Sequence, residues 1–219
     1  MKNGADFFET YVPQINNPFP TVVEIGSQNV NGSLRDVCPE HVDYLGLDFV
    51  PGNGVDIILE DAYKFPLPTE SMDIVVSSSC FEHAQMFWLT FLEVMRILKP
   101  SGLFYLNAPS AGSFHRYPVD CWRFYPDSGV ALVTWGQRNG LPCTLLESYV
   151  HVGGSWQDFV AVFLKDQSLV NQYPGRILSR KTDFENGHLF GSQDILNESN
   201  VCQNELKLVA INKLTTIEY

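Results

Sequence analysis

The chain has 219 residues, 45% of them hydrophobic, and its 25 acids against 14 Lys and Arg give a formal net charge of −11. This length fits one domain with an extension better than two full domains. Nucleic-acid affinity depends on a dense Lys/Arg face, so the acidic excess predicts that neither DNA nor RNA is a substrate. No apolar stretch approaches the ~20 residues that span a bilayer, and the amino terminus lacks the features of a signal peptide. We therefore expect a cytoplasmic protein with no membrane partner.

The cysteines exclude two further kinds of site. There are five of them, they are scattered, and none forms a C-x-x-C pair. We expect reduced thiols, with neither a disulfide framework nor a zinc site, and no metal ion in the functional site.

The chain opens with a candidate helix. Phe7, Phe8, Tyr11 and Val12 follow near-helical spacing and predict a short amphipathic helix within residues 1–20. Packing on a sheet is a simpler role for such a helix than closing over a ligand.

The first strand is predicted at residues 22–25 and runs into an acid and a tight glycine turn, Glu24-Ile25-Gly26-Ser27. Its apolar residues are β-branched, which is typical of a central strand covered on both faces. Gly26 permits backbone angles, or a close ligand approach, that a Cβ would obstruct. A dinucleotide fingerprint needs a second glycine where this chain has Gln28, so a pyrophosphate ligand is the weaker hypothesis.

Polar residues also end the next three predicted strands. These are residues 44–48 ending at Asp48, residues 55–59 followed by Asp61, and residues 72–77 followed by Ser78. Because parallel strands end at one edge of a sheet, these groups describe one crevice. An acid in the position of Asp48 can accept both hydroxyls of a ribose, whereas Asp61 has the alternative role of capping the next turn. Residues 32–40 leave room for a crossover helix of about two turns.

The later elements alternate in the same way. They are a helix at 86–98, a fifth strand at 103–108, a helix at 126–135, a sixth strand at 143–150 and a seventh at 159–164. Residues 109–125, called the insert below, are irregular. Beyond residue 166 the composition becomes polar, so residues 167–219 are predicted to be an accessory extension, with a strand or helix at 206–211.

In their order and spacing, these motifs resemble those of the class I S-adenosylmethionine-dependent methyltransferases, particularly the type 11 group that includes ubiquinone-biosynthesis-like enzymes. The resemblance covers residues 21–109 and continues more loosely to about residue 166. It is carried by Glu24-Ile25-Gly26-Ser27, Asp48, Asp61-Ala62, Phe81-Glu82-His83 and Glu93-Val94-Met95-Arg96-Ile97-Leu98-Lys99-Pro100-Ser101-Gly102. Gln28 and Ser101 depart from the family, each standing where a glycine is usual.

The resemblance implies an α/β fold for residues 21–166: a doubly wound, Rossmann-like, seven-stranded and mostly parallel sheet with helices on both faces and an antiparallel seventh strand. It also implies S-adenosylmethionine as the cofactor. The implied cofactor-binding residues are Glu24, Gly26, Ser27, Asp48, Phe49, Asp61, Ala62 and Ser78. Glu24 has the alternative role of holding backbone amides of the glycine turn.

The insert and the loop after the fourth strand supply the candidate acceptor site. A hydroxyl acceptor benefits from a general base, and His115 and His83 are the candidates, since histidine titrates near pH ~6.5. The candidate acceptor-binding residues are Arg116, Asp120, Trp122 and Arg123. Two structural alternatives remain open. The insert's aromatic residues and an Arg–Asp pair could simply close the sheet edge, and Glu82-His83 could cap and pack a helix start.

The leading hypothesis is a metal-independent methyltransferase acting on a small polar molecule, such as a sugar or a glycan-precursor hydroxyl. A quinone-like or other natural-product acceptor is the alternative, favoured if the insert forms a flat apolar slot with no free Arg or Asp facing inward. A non-catalytic relative that binds the cofactor or a partner is a third hypothesis. The sequence does not indicate the oligomeric state.

Overall fold

A computed structural model describes residues 1–199. Cys202 and the element predicted at 206–211 lie outside the described residues. The helices are α1 (Lys2–Tyr11), α2 (Phe87–Ile97) and α3 (Ser128–Arg138). The strands are β1 (Thr21–Ile25), β2 (Asp43–Asp48), β3 (Ile57–Ile58), β4 (Met72–Ser78), β5 (Leu98–Pro109), β6 (Thr144–His151), β7 (Asp158–Leu164) and β8 (Phe184–Leu189).

All eight strands form one sheet in the order β3-β2-β1-β4-β5-β7-β6-β8. Strands β1 to β5 pair in parallel, while β7 is antiparallel to both β5 and β6. This confirms the doubly wound, mostly parallel sheet with an antiparallel seventh strand. The count of seven was one too few, because β8 pairs antiparallel with the outer edge of β6. A strand at a sheet edge is covered on one side only, which accounts for its polar composition.

The two faces of the sheet carry separate apolar cores. On one face α2 and α3 pack through residues such as Phe91, Val94 and Leu132. On the other face α1 packs together with residues 173–178, and the ring of Phe7 lies 4.8 Å from that of Tyr105. The amino-terminal helix therefore packs on the sheet, as expected.

A buried carboxylate fastens this second face. Glu147 of β6 accepts hydrogen bonds from Tyr11 Oη (2.6 Å), Ile177 N (2.7 Å) and Leu178 N (2.9 Å). It has no exposed surface. Three donors replace the water that a buried carboxylate loses, so Glu147 joins α1, β6 and the segment before β8.

Three local predictions need correction. Residues 32–40 contain a 3₁₀ turn at Leu34–Val37 instead of a two-turn α-helix, held by the Ser33 side chain, which accepts from Arg35 N. The third strand has only two residues, Ile57–Ile58, and residue 53 before it contacts the β1 loop, where Asn53 O accepts from Asn29 N at 2.8 Å. The fifth strand starts at Leu98, directly after α2. None of the helices within residues 1–199 is long and apolar enough to cross a bilayer.

Candidate functional site

The glycine turn after β1 packs directly on the loop after β4. Gly26 has φ of +77°, and a Cβ there would lie 2.5 Å from Cys80 Cβ. The amides of Gly26 and Ser27 both donate to Leu47 O of β2, at 2.9 and 3.1 Å. Ser27 Oγ is buried and has no hydrogen-bond partner among residues 1–199. Glycine is therefore required here by its conformation and by the lack of space.

Asp48 ends β2 beside this turn. Its Oδ2 accepts from Gln28 N and its Oδ1 from Val50 N, both at 3.1 Å. Each carboxylate oxygen has a further lone pair that these bonds do not use. The next residue, Phe49, is 50% exposed, so an apolar ring stands in solvent next to the acid.

The β2–β3 loop closes over the glycine turn. A Cβ on Gly54 would lie 2.7 Å from Ser27 O, and Asn29 N donates to Asn53 O at 2.8 Å. Gln28, which departs from the glycine-rich pattern, accepts a hydrogen bond from Tyr117 Oη of the insert at 3.0 Å. The insert therefore reaches across the crevice to the β1 loop, a contact that the sequence did not predict.

Glu24 belongs to a different surface of the sheet. It shares a face with Val22, which packs in the core under α1, because alternate residues of a strand point the same way. Tyr44 Oη donates to Glu24 Oε2 at 2.8 Å, and burial raises the pKa of Glu24 to about 7. Its hydrogen-bond partner is therefore a side chain of β2, whereas the amides of Gly26 and Ser27 donate to Leu47 O and that of Gln28 to Asp48.

Asp61, Ala62 and Ser78 complete the predicted cofactor set. Asp61 Oδ1 accepts from Tyr63 N at 2.8 Å, so the acid caps its own turn, and both Asp61 and Ala62 are exposed. Ser78 is half-buried at the end of β4. Burial raises the pKa of the neighbouring Cys80 thiol to about 12, so that thiol is neutral near pH 7.

The two candidate bases lie next to each other. The ring centroids of His83 and His115 are 5.0 Å apart with an interplanar angle of 84°. His83 Nδ1 donates to the carbonyl of Val119, and His115 Nδ1 lies 3.3 Å from Asp120 Oδ2. Trp156, from the loop between β6 and β7, packs on the His115 ring at 4.7 Å. The insert therefore brings two histidines together from positions far apart in sequence.

Asp120 and Arg123 pair with each other inside the insert. Arg123 Nη1 and Nη2 donate to the two carboxylate oxygens of Asp120 at 2.6 and 2.9 Å, and His115 N donates to Oδ2 at 2.7 Å. The Asp120 side chain is only 2% exposed, and the Arg123 guanidinium holds the pKa of Asp120 well below its usual range. Arg116 is exposed and donates to Pro118 O at 3.2 Å. The pairing matches the structural alternative considered for the insert.

Glu82 is the residue whose chemistry the sequence analysis missed. Its carbonyl accepts from Cys121 N at 2.8 Å and Trp122 N at 3.2 Å, which fastens the insert to the loop after β4. The residue is 1% exposed, burial raises the pKa of its carboxyl to about 8, and Oε1 lies 3.7 Å from His83 Nε2. Its adjacency to His83 was the available signal, but sequence alone did not show the burial.

An apolar slot of about 370 Å³ lies on the α2 and α3 side of the insert. It is lined mainly by Phe87, Trp88, Trp122, Phe124, Leu132 and Trp135, with Arg123 at its border. Trp122 Nε1 donates to Ala84 O at 3.0 Å. The predicted binding residue Trp122 therefore contributes to this slot.

Comparisons with known proteins agree with this architecture. Residues 30–106 match the type 11 family model described as a methyltransferase domain. A 2-methyl-6-phytyl-1,4-hydroquinone methyltransferase from Oryza sativa subsp. japonica is 28% identical over 130 residues, which are 58% of this chain and 38% of the relative. The matched region thus spans well under half of that relative's length.

Two solved structures share the fold. A 1,6-didemethyltoxoflavin-N1-methyltransferase from Burkholderia thailandensis, solved with 1,6-didemethyltoxoflavin and S-adenosylhomocysteine, has a TM-score of 0.57 at 11% identity over 76% of this chain and 78% of its own. An S-adenosylmethionine-dependent methyltransferase from Methanosarcina mazei has a TM-score of 0.54 at 13% identity over 71% and 96%. The match over residues 30–106 and the shared fold agree with the resemblance to the class I S-adenosylmethionine-dependent methyltransferases. S-adenosylmethionine is the cofactor of that class.

Proposed function

We propose that this chain binds S-adenosylmethionine at the carboxyl ends of β1, β2 and β4 and transfers its methyl group to a small acceptor held by the insert. The observation that carries the proposal is the position of Glu82, His83 and His115. They lie on the loop that touches Gly26 and on the insert that crosses to Gln28.

Three features near the glycine turn fit the cofactor. Gly26, with φ of +77°, makes the tight turn that ends β1, Ser27 Oγ is a buried hydroxyl without a partner in the described chain, and Asp48 keeps lone pairs for a ribose diol. The cofactor supplies a methyl group on a sulfonium, whose sulfur keeps the bonding electrons and leaves as a neutral thioether. The protein has to position the acceptor and exclude water.

The chain's own histidines can take the proton that a hydroxyl acceptor loses. Because His83 Nδ1 donates to Val119 O, the proton of the neutral ring sits on Nδ1 and the lone pair on Nε2. Burial lowers the pKa of His83, which keeps that lone pair free near neutral pH. Asp120 lies beside His115 Nδ1 and likewise favours the tautomer of His115 with its proton on Nδ1 and its lone pair on Nε2.

Two acceptor classes follow from two surfaces next to the insert. The polar group formed by Glu82, His83, His115 and exposed Arg116 suits a sugar or glycan-precursor hydroxyl. The apolar slot, together with the mutual pairing of Asp120 and Arg123, favours the quinone-like or other aromatic acceptor as the second candidate.

Cofactor binding is tested by isothermal titration with S-adenosylmethionine, S-adenosylhomocysteine and NAD. We expect the two sulfur compounds to bind. Asp48→Ala should lose most of the affinity because the ribose contact disappears. Asp43→Ala, at the other end of β2, is the matched control and should bind normally. Saturable NAD binding with no response to either sulfur compound would overturn the proposal.

The acceptor is found by a transfer screen with methyl-labelled cofactor over sugar nucleotides, glycans, quinols and phenols. On the acceptor found, His115→Ala should slow turnover by ~10²-fold or more at nearly unchanged cofactor affinity. His41→Ala is the histidine control. Tight cofactor binding with no turnover on any acceptor would support the non-catalytic alternative instead.

A further inference from the structure

Against the expectation of a metal-free site, we propose that Glu82, His83 and His115 form a binding site for one divalent transition-metal ion. Each of the three offers a ligand atom, and these atoms all lie within 4.8 Å of one another. Ligands held about 2.0–2.2 Å from a common ion are roughly 3 to 3.5 Å apart. Small side-chain rotations therefore suffice to close the set around an ion.

Both imidazoles are oriented as metal ligands usually are. His83 uses Nδ1–H to bond the Val119 carbonyl, which leaves the lone pair of Nε2 on the side of Glu82. His115 Nδ1 lies 3.3 Å from both Asp120 Oδ2 and Ser113 O, so its proton belongs on Nδ1 and its lone pair on Nε2. A carbonyl or carboxylate behind each ligating imidazole fixes its tautomer and raises its basicity.

Glu82 gives an independent indication of a ligand. Its Oε2 is buried and has no hydrogen-bond partner anywhere in the described part of the chain, although the residue is only 1% exposed. A buried carboxylate without a donor is costly, so the carboxyl stays protonated unless a cation takes the place of the proton. The nearest guanidinium, that of Arg123, is already committed to both oxygens of Asp120. A cation bound by both carboxylate oxygens satisfies the free Oε2 together with Oε1, which lies 3.7 Å from His83 Nε2.

Two imidazoles and one carboxylate select the class of ion. This donor set suits Zn²⁺, Fe²⁺, Co²⁺ or Mn²⁺, whereas Mg²⁺ and Ca²⁺ prefer sites made of oxygen alone. Three protein ligands leave coordination positions open. On the proposed function, these positions lie where the acceptor binds and can take one of its oxygens, which orients the acceptor and lowers its pKa. With the ion bound, this activation replaces proton transfer to the histidines, because their Nε2 lone pairs are then metal ligands.

The test uses the full chain stripped with a chelator and then titrated with Co²⁺, followed by visible absorption and by metal analysis after gel filtration. We expect one ion per chain and d–d bands of a site with nitrogen and oxygen ligands. His83→Ala, His115→Ala and Glu82→Gln should each weaken Co²⁺ binding by ~100-fold or more. His41→Ala should bind as the wild type does. Circular dichroism shows that each variant is folded.

Two results would overturn the site: a wild-type chain that takes up no Co²⁺ or Zn²⁺ in stoichiometric amount, or His115→Ala protein that binds as tightly as the wild type. Because His115 is on a half-exposed loop, this variant tests the site even if Glu82→Gln fails to fold. Titration of the metal-free chain with S-adenosylhomocysteine separates the two proposals. Cofactor binding without metal uptake refutes only the metal site, and metal uptake without cofactor binding refutes only the proposed function.

Discussion

At position 26, any side chain would collide with the loop after β4. A Cβ would lie 2.5 Å from Cys80 Cβ, in a residue whose φ is already +77°. We expect Gly26→Ala to lower the free energy of unfolding by about 2–4 kcal/mol, from backbone strain and overpacking together, and to weaken cofactor binding. Urea denaturation and titration with S-adenosylhomocysteine measure the two effects.

Gly140→Ala is the matched control. Gly140 has a φ of +79°, but no atom of the described chain lies within 4 Å of where its Cβ would be. This variant has the conformational strain of about 1 kcal/mol without the collision, and cofactor binding should not change. Equal destabilisation of the two variants would show that the contact with Cys80 does not matter.

Glu24 makes stability depend on pH. Burial raises its pKa to about 7, so between pH ~4.5 and ~7 the unfolded chain releases this proton while the folded chain keeps it. The wild type should therefore lose stability as pH rises through this window. Relative to Glu24→Gln, we expect a loss of about 2 kcal/mol between about pH 5.5 and about pH 8. Urea denaturation across this range, with exposed Glu40→Gln as control, tests it. A difference between wild type and Glu24→Gln that does not change with pH would contradict the argument.

For single residues, the sequence predicted those at the strand ends but not the side chains that they contact. Gly26 and Asp48 follow from the rule that parallel strands present ligand-binding groups at their carboxyl ends. His83 and His115 lie side by side only because the insert folds back on the loop after β4. The ligands of the proposed metal site come from two separate segments, so no local spacing in the sequence indicates them. Tyr117 and Trp156, which join the site from loops, gave no signal for the same reason.

Among the elements, α1 and the segment before β8 are joined through the buried side chain of Glu147, which accepts hydrogen bonds from both. Glutamine has one oxygen where the carboxylate has two, and its amide N–H₂ would face a backbone N–H of Ile177 or Leu178. We expect Glu147→Gln to lower the free energy of unfolding by about 2–4 kcal/mol, because buried donors lose their acceptor. Tyr11→Phe, which removes one donor, should lower it by about 1 kcal/mol. Thermal and urea denaturation compare the two, and a Glu147→Gln loss no larger than that of Tyr11→Phe would refute this role.

The elements that sequence predicted best are those with strong periodicity. The predicted helix at 86–98 differs from α2 by one residue at each end, since its apolar face repeats regularly and Pro100 follows. Residues 32–40 lack such a repeat, and the structure has only a 3₁₀ turn there. Strand β8 was missed because half of an edge strand faces solvent and its sequence reads as polar.

For the whole molecule, the acidic excess still predicts no affinity for nucleic acid. Two neighbouring basic residues near the end of the described chain, Arg180 and Lys181, have acidic partners, and Lys181 pairs with Asp6 and Asp183 at 2.9 and 3.1 Å. Arg180 lies 3.3 Å from Glu9. Fluorescence anisotropy with labelled DNA and RNA near physiological salt should show no binding. Binding that falls steeply with added salt would show a basic surface that these pairs do not neutralise.

The joining of α1 to residues 177–178 has a consequence for biosynthesis. The ribosome makes α1 well before it makes Glu147 and the segment that covers the helix. Until then Phe7 and Phe8 lack part of the surface that buries them. Because these contacts join the earliest and the latest described parts of the chain, closure of this face is slow relative to local folding. The aromatic residues of α1 therefore stay partly uncovered until residues 147 and 177–178 have been made, and exposed apolar surface of this kind is prone to aggregation.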